Sequence, residues 1–136
     1  DVVLGQDAWV AVLPAAHRLA HHARTYGITL KALADQPFIL ATGGCVVNGK
    51  SLMEKAGLQL SDIRVTVRDW ISACKLVAEG MGVALVPESA LPEALRNLCV
   101  VPVTPAIHRE FRLVCSSSGT SSGATQALLN ALRKRG

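Results

Sequence analysis

The chain predicts an α/β fold, a mixed and mostly parallel sheet with helices on both faces. Short apolar runs of strand character alternate with stretches of helical periodicity from one end of the 136 residues to the other. That alternation builds parallel strands joined by crossover helices. Half of the residues are hydrophobic and 18% are charged, which suits a sheet buried on both sides and excludes a disordered chain. The length is that of one domain.

The first strand is expected over 7–13, in the apolar run DAWVAVL. A loop with a short helix near 30–35 follows, then a strand at 37–42 and a helix at 45–56. The strand at 63–68 leads into a helix at 69–79, where Ile71, Cys74 or Lys75, and Ala78 recur at the spacing of one helix face. Gly80 stands where a left-handed C-terminal cap is needed. A buried strand at 82–86 ends at Pro87, and a short helix at 88–96 connects it to strands at 99–103 and 109–115. Ser116 to Gly123, SSSGTSSG, reads as a flexible link before a last helix at 122–135.

Charge narrows the classes of partner. The formal charge is +4, but the basic residues are scattered, and Arg133, Lys134 and Arg135 at the end of the last helix are explained by its macrodipole. Direct contact with DNA by this chain is therefore not expected. Cys45, Cys74, Cys99 and Cys115 show no C-x-x-C spacing and read as reduced thiols rather than as a zinc site or disulfide framework. His17, His21 and His22 have no nearby Cys, Asp or Glu to complete a metal site, and a surface loop accounts for them. No nucleophile has a base at a suggestive spacing. Neither an enzyme, a cofactor nor a metal is expected, and no apolar run has a membrane span's length.

In an open parallel sheet, ligands sit beyond the carboxyl ends of the strands. The two turns that meet this condition are Thr42-Gly43-Gly44-Cys45 after one strand and Arg68-Asp69-Trp70 after the next. Glycines allow backbone N–H groups to approach a guest, and helix N-termini favour negative charge. With the Thr42 hydroxyl and the Arg68 cation added, a small carboxylate is the natural ligand. Thr42 or Gly43 could instead cap a helix, Asp69 is a natural cap, and Arg68 could be a solvated strand-end charge. Trp70 could wall a pocket or pack in the core, while Trp9 belongs to the core. Cys45, placed in the first turn of its helix, is expected to be the most reactive thiol. The Gly-Gly pair fits neither a G-x-G-x-x-G nor a P-loop pattern.

Several stretches together resemble the effector-binding domain of LysR-type transcriptional regulators: Val67-Arg68-Asp69 followed by LVAEGMGVALVPE (76–88), AWVAVLPAAHRLA (8–20), ITLKALADQPFIL (28–40) and REFRLVC (109–115). The resemblance implies a Rossmann-like lobe of a two-lobe domain built like a periplasmic binding protein, with a small anionic metabolite as effector in the interlobe cleft. It implies that 14–107 form the second lobe, that 1–13 and 108–116 are the crossing strands, and that 117–136 are a linker and a helix docking on a first lobe mostly absent from the sequence. DNA would be bound only through an N-terminal winged helix-turn-helix, also absent. The chain would be cytoplasmic, have no membrane contact, and self-associate, with the stripe Ala124, Ala127, Leu128, Ala131 and Leu132 covered by a partner, as homodimers and full-length tetramers. The alternative on the same architecture is a periplasmic-type solute-binding protein or a catalytic lobe.

Overall fold

In the computed structural model, the backbone of residues 2–113 and the side chains of residues 7–108 are described. Two compact units divide the chain, and residues 8–107 make up the one that carries the candidate site. In chain order the elements are β1 (Val2–Pro14), α1 (Ala20–Tyr26), β2 (Ile28–Thr29), α2 (Leu30–Ala34), β3 (Pro37–Ala41), α3 (Gly49–Lys55), β4 (Asp62–Val67), α4 (Trp70–Ala78), β5 (Ala84–Pro87), a 3₁₀ turn (Glu88–Ala90), β6 (Leu98–Thr104) and β7 (His108–Leu113). No helix among the described residues is long and apolar enough to cross a membrane.

Strand β1 runs antiparallel to both β5 and β6, while β2 is parallel to β6 and β3 is parallel to β4. A parallel bridge between Phe38 and Val83 joins β3 to the residue just ahead of β5. Within residues 8–107, β1 is thus the antiparallel member of an otherwise parallel set. Its side chains alternate between two layers, as the two-residue period of a strand requires. Trp9, Ala11 and Leu13 enter one cluster with Ala20, Leu33, Phe38 and Met53; Val10 and Val12 enter the other with Ile39, Ala73, Cys74 and Val77. Helices α1, α2 and α3 therefore cover one face and α4 the other. Burying side chains the size of Phe38, Leu33 and Ile39 contributes about 1.5–3 kcal/mol each, enough to hold short helices that would not persist alone.

Helix α4 starts and stops on local signals. Asp69 accepts a hydrogen bond from the Ser72 N–H at 2.8 Å, and Gly80, at φ +85, takes the left-handed position after the last turn. Its buried face meets the expected one at Cys74 but not at Ile71. Ala73, Cys74 and Val77 point inward while Ile71 is 43% exposed, because WISACKLVA is apolar enough to offer two registers and the sheet selects one.

Three other expectations change. The segment before residue 30 contains α1, which carries His21 and His22; only Ala20 and Ala23 of it are buried, so its helical stripe is too narrow to read. The helix expected at 45–56 spans Gly49–Lys55, because Asn48 and Ser51 form a capping box that fixes its start. The helix expected at 88–96 is only the 3₁₀ turn, since Pro92 cannot continue a helix. The flexible link, the last helix with its apolar stripe, and Cys115 lie outside the described residues.

Candidate functional site

The carboxyl ends of β3 and β4 are stitched together, and the stitching builds the site. Thr42 N–H donates to the Val67 carbonyl at 3.1 Å, and Gly43 N–H donates to the Arg68 carbonyl at 2.6 Å. Gly43 and Gly44 both adopt left-handed backbones, φ +62 and +70, which turn the chain back on itself. Cys45 N–H closes the turn by donating to the Thr42 carbonyl at 2.9 Å. The Gly44 N–H has only a long contact, 3.4 Å, with Thr42 Oγ1. Of the two glycine amides expected to face a ligand, then, Gly43's is committed to Arg68 and Gly44's is held only by the long bond to the Thr42 hydroxyl.

Arg68 leaves β4 on the exposed side, and its guanidinium lies over Gly44: a Cβ added there would sit 3.4 Å from a terminal guanidinium nitrogen. Thr42, Gly44, Thr66, Val67 and Arg68 line an open depression of about 440 Å³. Among the described residues the ion pairs are Lys31 with Asp35 and Arg64 with Asp62, so no described carboxylate neutralises Arg68. The lining residues bring together a cation, two hydroxyls and the Gly44 N–H. That set of donors matches a carboxylate or another small oxyanion.

The remaining candidates have other neighbours. The Asp69 carboxylate is taken up by α4, accepting from the Ser72 N–H and from its hydroxyl at 2.7 Å; these bonds hold it below the usual carboxylate range. Asp69 thereby fills the positive end of α4 with its own charge. Cys45 is exposed and its Sγ lies 3.4 Å from the Gly43 carbonyl, but it precedes the cap of α3 at Asn48 and so stands outside the helix expected to activate it. Trp70 lies behind the loop: a Cβ on Gly43 would come within 2.1 Å of its indole. On its other side Trp70 meets Trp9 edge to face, with centroids 5.7 Å apart.

Thr66 was absent from the sequence-derived set. The alternation of β4 could have found it: Arg64, Thr66 and Arg68 are exposed while Val65 and Val67 are half-buried and pack toward α4. His17 serves local structure, its Nδ1 accepting from the Leu19 N–H at 3.1 Å, and burial with neighbouring Arg18 holds its imidazole below the ordinary histidine range.

Residues 2–136 match the model of the LysR substrate binding domain. The chain is 34% identical over 94 residues, 67% of its length and 29% of the relative's, to the protein named "Probable hydrogen peroxide-inducible genes activator" of Mycobacterium avium. Its fold is that of the BenM effector binding domain solved with its effector benzoate, at TM-score 0.68 and 24% identity over 97% of this chain and 60% of that one. It is likewise that of the Synechocystis PCC6803 CcmR regulatory domain solved in complex with 2-PG, at TM-score 0.70 and 18% identity over 98% of this chain and 64% of that one. In each case the chain spans less than two thirds of its relative. The edge of the sheet that carries Thr42, Gly44 and Arg68 is therefore part of a known architecture: the chain belongs to the LysR substrate binding domain family.

Proposed function

We propose that this domain is the effector sensor of a LysR-type transcriptional regulator and that its effector is a small anion held between Arg68, the Gly44 N–H and the hydroxyls of Thr42 and Thr66. The observation that carries the reading is Arg68 lying unneutralised, among the described residues, over the glycine turn at the carboxyl ends of β3 and β4. Benzoate, the effector of the BenM domain, is a carboxylate, which is the guest this donor set suits. Binding at the turn would bias two arrangements of the regulator, and the DNA-binding module, a winged helix-turn-helix outside this chain, would follow. The domain would act in the cytoplasm and perform no catalysis.

Because the depression is open, the isolated chain should bind a monovalent carboxylate only weakly, with Kd on the order of 1 mM. Titration of the chain with benzoate by calorimetry should give that affinity, and Arg68→Ala should remove it. Equal affinity in the two proteins would overturn the site.

Self-association belongs to the same reading. The exposed side of α4 presents Ile71 beside a shallow groove of about 280 Å³ lined also by Ala78, Pro92, Ala94 and Leu98, apolar surface that a second copy would cover. Sedimentation should show a dimer at micromolar concentration and a monomer for Ile71→Asp. A wild-type monomer at that concentration would remove this part.

A further inference from the structure

We infer that Trp70 is a positioning residue for the turn at Thr42–Gly44, and that through Trp9 it ties the shape of that turn to strand β1. This rests on the functional reading only for its consequence; the packing it invokes is independent of any ligand.

Gly43 is held from two sides. Its N–H is bound to the Arg68 carbonyl at 2.6 Å, and its Cα rests against the Trp70 indole so closely that a Cβ would lie 2.1 Å from Cζ2 and 2.4 Å from Cε2. The indole therefore occupies the space a side chain would need. Moving the turn toward the indole requires the indole to move with it, because the ring already fills that space. The Gly44 N–H, the donor offered to a ligand, is one peptide further on.

Trp70 cannot move alone. Its ring meets that of Trp9 at 5.7 Å and 79°, the edge-to-face arrangement that aromatic pairs prefer. Trp9 is 2% exposed, lies opposite Pro87 of β5, and donates its backbone N–H to the Ile107 carbonyl at 2.8 Å. Residues 8 and 107 are the two ends of the unit that carries the site. A shift of Trp9 is thus a shift at both points where the chain leaves that unit. The path is Gly43, Trp70, Trp9 and Ile107, four residues in unbroken contact, and it runs in either direction. It assigns the tryptophans a role that neither a wall of the ligand pocket nor an inert core would give them.

The two indole N–H signals in a nitrogen–proton correlation spectrum report this directly, assigned with Trp9→Phe and Trp70→Phe. Gly43→Ala should shift both signals, although the atoms nearest the added Cβ all belong to Trp70. In the Trp70→Phe background the same substitution should leave the Trp9 signal in place. A Trp9 signal that stays put in Gly43→Ala, or that moves as far without Trp70 as with it, would overturn the inference. Should Gly43→Ala not fold, Trp9→Phe supplies the reverse test: the amide signals of Gly43 and Gly44 should shift while that of Gly57, which has no neighbour within 4 Å of an added Cβ, should not. Unmoved Gly43 and Gly44 signals would be equally fatal. Benzoate failing to bind would sink the functional reading and leave this result standing.

Discussion

The turn after β3 and the turn after β4 solve the same topological problem in opposite ways. Each carries the chain from the carboxyl end of a parallel strand into a helix. The second does so in two residues, Arg68 and Asp69, and the Asp69 carboxylate at once saturates the end of α4. The first takes seven residues, 42–48, before Asn48 caps α3; within it two left-handed glycines turn the chain over the Arg68 side chain. The short turn commits the Asp69 carboxylate to its own helix, whereas the long one places the Gly44 N–H and the Thr42 hydroxyl, joined to each other by a long 3.4 Å bond, beside Arg68, which no described carboxylate neutralises. In the proposed reading, recognition of an anion would rest on the glycine turn and the strand-end arginine rather than on a helix N-terminus.

The largest effect that could break this comparison is at Gly43. Gly43→Val must place a branched side chain in the indole and hold it at positive φ, so unfolding in urea should show a loss of about 3 kcal/mol or more. Gly57→Ala, with the same backbone sign but open space around it, should cost only about 1–2 kcal/mol. Comparable losses at the two glycines would show that Trp70 does not press on the turn.

Next in size is Arg68→Ala, expected to cost about tenfold or more in carboxylate affinity while changing stability by no more than about 0.5 kcal/mol, as suits an exposed side chain. Arg68→Lys should fall between, since it keeps the charge and loses the planar fork. Asn48→Ala should destabilise by about 1 kcal/mol through the lost capping box, with carboxylate binding unchanged because α3 starts beyond the site.

Asp69 sharpens the contrast by pH. Its native value is lowered by the Ser72 bonds, so its contribution is fully present above the ordinary carboxylate value of about 3.9 and is lost as the pH falls through the lowered native one. Thermal unfolding should show the difference between wild type and Asp69→Asn shrinking over that acid window and steady above it; a difference that grew on acidification would contradict the cap. The smallest effect is chemical. Burial pushes the Cys74 thiol up to about 11, and Cys99 is buried too, so a maleimide at neutral pH should modify exposed Cys45 before either.

How far these features were legible depended on how local their causes are. The strand-end rule located Thr42, Gly44 and Arg68 from the sequence, and the Asp69 cap and the Gly80 stop marked both ends of α4. The inward face of α4 was legible at Cys74 but not as a whole, because nothing in WISACKLVA distinguishes Ile71 from Ala73 until a sheet lies beneath it. The start of α3 was legible in Asn48 and Ser51 but lay hidden behind Cys45-Val46-Val47, which contains no breaker. The commitment of the Gly43 amide to Arg68 depends on two turns meeting across the sheet, and no local pattern encodes that. Thr66 needed only the alternation of its own strand.

In the proposed reading, this edge of the sheet recognises negative charge through Gly44 and Arg68. The most direct measurement is a paired titration of the isotope-labelled chain with benzoate and with benzamide, its neutral counterpart, followed at the amide signals. Benzoate should shift the Gly44 signal and those of its neighbours, and benzamide at the same concentrations should not. Equal shifts from the two compounds, or benzoate shifts confined to residues away from the turn, would contradict the account.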